Sequence, residues 1–277
     1  MFDNVVLLVL GNDPELTHCL ELFLTSVVYN TDTPNFEIQI FTDIHLWDPV
    51  IQTLNNMHID SRFSIRISTD GKHWESPHLC QLQRFQAITA HMHNYKKVMY
   101  MDIDILVTLD LSELFDQATR PDTLYVCPER YIFEHHNAIQ FGKQDYTSEQ
   151  IQHFAKNKIY PFNSGQFMFL SSAIMFQHFQ QAFRLHQENP CLTDQAILNY
   201  YFNSLGIVDY SVLCPRTTVI FPILDKPYTH HIIHFAGSYP IPKHVIMEKY
   251  LNHTLQKFVQ PHEHPPPHSE PFSNIPL

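Results

Sequence analysis

Apolar positions along this chain alternate between two periods, and the alternation predicts its architecture. Val5 to Leu10 is apolar at every position, as a strand covered on both faces by helices should be. Gly11-Asn12-Asp13-Pro14 ends it with turn residues and a helix cap, and Leu16 to Val28 reads as the helix that follows. Phe36 to Phe41 and Phe63 to Ile67 read as short strands separated by a helix over Asp48 to Met57. From Leu79 onward, Leu82, Phe85, Ile88, Met92 and Tyr95 recur at spacings of three or four, an amphipathic helix leading to a strand over Lys97 to Met101. Strands alternating with helices predict an α/β fold with a doubly wound, Rossmann-like, mostly parallel sheet.

Past that strand come Asp102-Ile103-Asp104, a second apolar stretch from Ile105 to Val107, and a small helix over Leu111 to Phe115. A strand is expected near Leu124 to Cys127. The rest of Arg120 to Tyr160 is polar and aperiodic, and reads as a long irregular excursion of the kind that shapes a site over an α/β core. Phe162 to Leu170 is a strand, Ser171 or Ser172 caps the next helix, and Thr193 caps another from Asp194 to Phe202. Val208 to Leu213, Thr217 to Ile220 and His231 to Phe235 read as late strands. The expectation is a single domain over residues 1–258, followed by a flexible tail over residues 259–277, because Pro261-His-Glu-His-Pro-Pro-Pro-His268 cannot pack a core.

Composition narrows the function classes. The chain has 277 residues, 44% of them hydrophobic, enough to bury a sizeable core. Its formal net charge of -11 sets repulsion between the surface and nucleic-acid backbones or anionic lipid. Cys19, Cys80, Cys127, Cys191 and Cys214 form no CxxC pair and are odd in number, which reads as free thiols, buried small hydrophobes in a reducing compartment. The start of the chain runs into a strand without a basic leader, and no apolar run approaches the roughly 20 residues of a membrane span. A cytoplasmic location is the expectation.

The chemistry concentrates around Asp102 and Asp104. Two carboxylates flanking an apolar Ile103, at the carboxyl end of a strand, project to one side and make a hard-cation site able to neutralise a diphosphate. Open α/β sheets bind ligands at that end. The apolar Val98-Met-Tyr-Met101 before the pair and Ile105-Leu-Val107 after it make two uncompensated carboxylates costly there. Ile232-Ile-His234-Phe-Ala-Gly237 offers a third ligand in His234, with Gly237 letting backbone approach a phosphate. An imidazole beside two carboxylates favours Mn²⁺, with Mg²⁺ the alternative ion.

Landmarks follow in order: Asn12-Asp13 after the first strand, Lys97-Val-Met-Tyr-Met-Asp102-Ile-Asp104 with Leu111-Ser-Glu-Leu-Phe115 behind it, and Phe162-Asn-Ser-Gly165. Asp194-Gln195, leading to Leu198-Asn199 and Phe202-Asn203-Ser204, and His234-Phe-Ala-Gly237 complete the series. Over Asn4 to Lys243 the chain resembles the glycogenin type of retaining GT-A glycosyltransferase, glycosyltransferase family 8, which also includes bacterial lipooligosaccharide galactosyltransferases. The resemblance implies a UDP-sugar donor, glucose first among the sugars, and a glycan or protein acceptor it does not identify. A homodimer is compatible with it. By that resemblance Asp102, Asp104 and His234 hold the metal. Gly11, Asn12, Asp13, Arg84, Ile103, Asn163, Ser164, Gly165, Gly237 and Lys243 join them around the donor, and Asp194 and Gln195 serve catalysis at the anomeric carbon.

The chain also departs from the family's pattern. Glu15 and Leu16 stand where the family carries an aromatic that packs on uracil, and Pro240 stands at the lysine position of its last motif, leaving Lys243 as the nearest cation. The tyrosine-bearing segment that glycogenins glucosylate has no counterpart, so self-glucosylation is not expected. Two rival readings exist. A haloacid-dehalogenase-type phosphatase also places Asp-Ile-Asp after a strand, but needs a later acidic motif, usually Asp-Asp, and the chain contains none. A catalytically inactive sugar-nucleotide-binding module is the other.

Overall fold

A computed structural model describes residues 2–11, 13–57, 59–129 and 145–259. Its central sheet has seven strands: β1 (Asn4–Leu10), β2 (Phe36–Thr42), β3 (Ser64–Ser68), β4 (Lys97–Met101), β6 (Leu124–Pro128), β7 (Phe162–Leu170) and β8 (Val208–Asp209). Their spatial order is β3-β2-β1-β4-β7-β6-β8. The first four are parallel, β7 runs antiparallel to both β4 and β6, and β8 lies parallel beside β6. The expected doubly wound, mostly parallel α/β domain is what the chain forms. The reversal of β7 has a functional consequence, because it brings the start of β7 to the carboxyl end of β4, with Met101 opposite Gln166.

The strands are apolar on both faces because helices cover both. Val6, Leu8, Met99, Met101 and Met168 face one cluster, packed with α1 (Leu16–Asn30) and the buried Ile246, Met247, Tyr250 and Leu251 of α8 (Lys243–Val259). Val5, Leu7, Val98, Tyr100, Phe167 and Phe169 face the other, with Phe85 and Ile88 of α3 (Pro77–His91), Phe179 of α6 (Ala173–Glu188) and Phe202 of α7 (Asp194–Leu205). This is the period-2 alternation of a strand serving two cores at once. The caps expected at Ser172 and Thr193 form, the cap at Ser76 was not read from the sequence, and the one expected ahead of α1 is not made, its N-cap Glu15 having no side-chain cap bond. The Ser76 and Ser172 hydroxyls accept the amides of Leu79 and Met175, and Thr193 accepts that of Ala196.

Several elements differ from expectation. β5 (Ile105–Val107) does not continue the main sheet; it pairs antiparallel with β10 (Ile232–His234), which pairs parallel with β9 (Thr218–Ile220), in a separate three-stranded sheet. β8 stops at Asp209 because the Asp209 carboxylate takes the Ser211 amide at 2.7 Å, an Asx turn that breaks the extended run. Tyr95 lies beyond α3, past a short turn of helix over Met92–Asn94. Within the expected irregular excursion, α5 (Ser148–Lys156) is a capped helix; residues 130–144 lie outside the described residues, as does the stretch from Pro261. Helix α8, absent from the sequence reading, reaches Val259. Of the cysteines, Cys19 and Cys127 are buried as expected, Cys80 and Cys214 are half-buried and Cys191 is exposed; none of the five forms a disulfide. Among the described residues no helix is long and apolar enough to cross a membrane.

Candidate active site

The strand order reverses between β1 and its neighbours β2 and β4, which opens a crevice at their carboxyl ends. Asp102 leaves β4 at that edge, Ile103 turns into the core, and Asp104 hands the chain to β5. Backbone pairing holds the bend: the Asp102 amide donates to the Gly165 carbonyl at 2.6 Å, and the Phe235 amide donates to the Asp104 carbonyl at 2.9 Å. The second bond comes from the β10 side, so the same ladder that joins β5 to β10 delivers His234.

His234 Nε2 lies 3.1 Å from Asp104 Oδ1 and 3.7 Å from Asp102 Oδ2. One ligand atom from each of the three residues falls within 4.8 Å of the others. Asp104 and His234 are buried. Burial opposes the charge of Asp104, yet His234 and Lys243 hold its carboxyl well below the ordinary range. Burial likewise pushes His234 down, and Asp104 followed by Asp102 reverses the sign, leaving it raised. Lys243, at the start of α8, places Nζ on Asp104 Oδ2.

The set fits a divalent ion on two observations. Nitrogen and carboxylate oxygens from different elements converge within 4.8 Å of one another, and two carboxylates with one imidazole are a donor set for such an ion. A cleft is also kept open at Gly165, where an added Cβ would lie 2.2 Å from His234 Cε1 and 2.6 Å from Asp102 Oδ2. No side chain larger than hydrogen fits there without displacing a ligand.

Arg84, on α3, is buried and not on a solvated face. One guanidinium nitrogen donates to the Ser164 carbonyl at 2.9 Å and pairs with Asp194 Oδ2 at 2.5 Å, and the other reaches Asp102 Oδ1 at 2.8 Å. Its guanidinium carbon sits 4.2 Å from the centre of the Tyr100 ring, and the Tyr100 hydroxyl donates to Asp102 Oδ1 at 2.6 Å. Burial alone would lower the Arg84 pKa, but Asp194 first, with Tyr100 and Asp102, raises it, so the cation is permanent. For Asp194 the balance is opposite: burial raises its pKa more than Arg84 lowers it. Gln195, next on α7, accepts the Ser164 amide through Oε1 at 3.0 Å.

The structure thus brings together Arg84, Asp102, Asp104, Ser164, Gly165, Asp194, Gln195, His234 and Lys243. Asn163 adjoins them, its side-chain oxygen accepting the Gly165 amide at 2.9 Å. Gly237 has φ +81 beside the Phe221 ring, a left-handed backbone that favours glycine. Gly11 and Asp13 stand at the end of β1, where Asp13 Oδ1 takes the Glu15 amide at 2.9 Å, a turn contact and not a contact with the carboxylate cluster. Asn12 lies outside the described residues.

Two neighbours were missed from the sequence. Tyr100 orients Asp102, and its position two residues before the pair on the same strand side is the cue. Glu129, buried at the end of β6, accepts from Asn163 at 3.2 Å; no short motif marks it, because the β6–β7 pairing that brings them together is non-local.

Comparisons with known proteins bear on the family and the fold. No curated protein sequence matches the chain. Among solved structures, the bifunctional glycosyltransferase WbbM superposes with TM-score 0.64 at 15% identity, covering 93% of this chain; the chain spans 52% of that protein's length. The galactosyltransferase LgtC, in complex with donor and acceptor sugar analogues, superposes with TM-score 0.58 at 14% identity over 94% of this chain and 98% of its own. An LgtC active-site glutamine-to-glutamate mutant gives TM-score 0.59 at 14% identity, with the same coverage. At these identities the likeness establishes a GT-A fold. The sequence model of glycosyl transferase family 8 matches residues 17–239 of the 277, so the chain belongs to that family and is a glycosyltransferase, not a phosphatase.

Proposed function

We propose that this chain transfers a hexose, with glucose the first candidate, from a UDP-sugar to a glycan or protein acceptor with retention of anomeric configuration. The observation that carries the reading is the convergence of Asp102, Asp104 and His234 on a cleft that only glycine at position 165 leaves open. Those three residues would hold Mn²⁺, with Mg²⁺ the alternative. A divalent ion held there would supply positive charge to a departing diphosphate, and the leaving group would need no proton.

The remaining work belongs to the chain's own side chains. Lys243, paired with Asp104, would be the cation to follow negative charge onto a diphosphate. It takes the part of the family lysine that Pro240 cannot play. Arg84 fixes the positions of Asp102 and Asp194 with one planar guanidinium, so metal ligand and candidate catalytic carboxylate move as a unit. Gln195 and Asp194 face developing charge at the anomeric carbon, with Asn163, Ser164 and Gly165 lining the sugar. Support for Gln195 comes from its bond to the Ser164 amide and from the active-site glutamine of the structural neighbour LgtC.

The test is release of UDP from UDP-glucose, UDP-galactose, UDP-xylose and UDP-N-acetylglucosamine with Mn²⁺. Slow UDP release from one of them, abolished by EDTA and by Asp104→Ala, is the expected result. Gln195→Ala should lower turnover by about 10²-fold with donor affinity little changed, the behaviour of a group acting in the transition state. Release of inorganic phosphate, or of nothing from any donor, overturns the reading.

A further inference from the structure

A second convergence of ligand atoms lies outside the site just described. Asp43 follows β2, His45 lies two residues on in a single turn of helix, and His73 comes from the loop after β3. His73 Nδ1 stands 3.1 Å from Asp43 Oδ2 and 3.3 Å from Oδ1. The two imidazoles stack with centroids 3.9 Å apart and planes inclined by 22°. One ligand atom from each residue lies within 4.8 Å of the others.

The carboxylate is already oriented as a ligand requires. Asp43 is buried, and its two oxygens accept the amides of His45, at 2.7 Å, and of Trp74. Each oxygen retains a lone pair, on the side His73 approaches. Both imidazoles are exposed, so the open face of the cluster is reachable from solvent.

We propose that Asp43, His45 and His73 form a second divalent-cation site, selective for a borderline transition ion such as Zn²⁺, that ties the end of β2 to the loop after β3. Two imidazoles and one carboxylate with an open position make a zinc-type set, softer than the two carboxylates and one imidazole of the first cluster. The role is structural. The Asp43 amide donates to the Leu10 carbonyl at 3.2 Å, the Ile44 amide to the Lys72 carbonyl at 3.1 Å, and the Trp74 carbonyl accepts from Cys80 on α3. A bound ion would therefore stiffen the junction from which both the end of β1 and the start of α3, the helix of Arg84, emerge.

The experiment uses the full chain carrying Asp102→Ala and Asp104→Ala, so that the first cluster cannot contribute, and measures zinc retained after equilibrium dialysis against ZnCl₂. Two further variants are made on that background: His45→Ala with His73→Ala, and His262→Ala with His264→Ala and His268→Ala to remove the histidines of the C-terminal stretch. We expect the background and the C-terminal variant to hold one tight zinc per chain. The His45/His73 variant should bind it at least about tenfold more weakly. Replacing exposed imidazoles opens no core cavity, and an unchanged circular dichroism spectrum checks the fold. Co²⁺ substitution should give visible d–d absorption in the first two chains and not in the third. Tight zinc that survives loss of both imidazoles, that disappears with the C-terminal histidines, or that the background never binds overturns the proposal.

Discussion

A single methyl group tests the first cluster most sharply. At Gly165 an added Cβ would strike both His234 and Asp102, while the residue's carbonyl continues to receive the Asp102 amide. Gly165→Ala should therefore weaken Mn²⁺-dependent UDP binding by about 10–100-fold, the range of a disturbed ligand environment, as calorimetry would show. Unaltered affinity would mean the cleft is not where the ion sits. Asp194 gives a second, electrostatic test. Its folded pKa is raised by burial despite Arg84, so its ionised form is the costly one: stability tied to its proton is complete below the ordinary carboxylate value and fades as pH rises through the raised one. Asp194→Asn escapes that loss, and its melting temperature relative to wild type should climb between pH 4 and pH 7. A difference that stays flat or falls would show that the Arg84 pair outweighs desolvation. Buried pairs often fail to repay their desolvation, which is why position, not stability, is the stronger account of this one.

Elements decide which of these residues can meet, and here the sequence was unevenly legible. Strands buried on both faces announce themselves as short apolar runs, and β1, β2, β4 and β7 could be read because each serves two cores. The reversed direction of β7 and the transfer of β5 to a second sheet are pairing choices between distant segments, which no local pattern carries. Two helices did leave cues. Thr147 and Gln150 form a capping box that starts α5, and in α8 the residues Ile246, Met247, Tyr250 and Leu251 repeat at helical spacing after Pro242. Within the candidate site, motif order pointed to the ligands, whereas the Arg84–Asp194 pair and the Glu129–Asn163 contact depend on tertiary approach. Helix α8 matters because it both roofs a core and presents Lys243. Met247→Ala, at a fully buried position, should cost about 2–5 kcal/mol, while changes at the exposed Glu248 or Lys249 should stay within about 0.5 kcal/mol. Chemical denaturation distinguishes them, and equal small effects would mean that α8 does not dock as described.

At the scale of the whole molecule, the separate origins of the ligands turn binding into a property of the fold. Asp102 and Asp104 follow β4, His234 closes β10 in the second sheet, and Lys243 begins α8, so occupancy of the cleft links the main sheet, the small sheet and a helix from the opposite end of the chain. An unfolded chain holds these groups far apart and has no affinity for a metal-bound diphosphate, so ligand binding must stabilise the native state by mass action. At a UDP concentration 100 times its dissociation constant, in the presence of Mn²⁺, the gain should be about 2.7 kcal/mol, read as a rise in melting temperature. With EDTA in place of Mn²⁺ the same UDP concentration should produce almost no rise. The negative diphosphate would then face two carboxylates already paired with His234, Lys243 and Arg84, in a molecule of net charge -11. Asp104→Ala should behave as the EDTA sample does even with Mn²⁺ present, which separates loss of the ion's site from nonspecific effects of the chelator. A UDP-induced rise of equal size with and without the metal would assign the affinity to Lys243 and Arg84 alone, and would remove the ion from the mechanism.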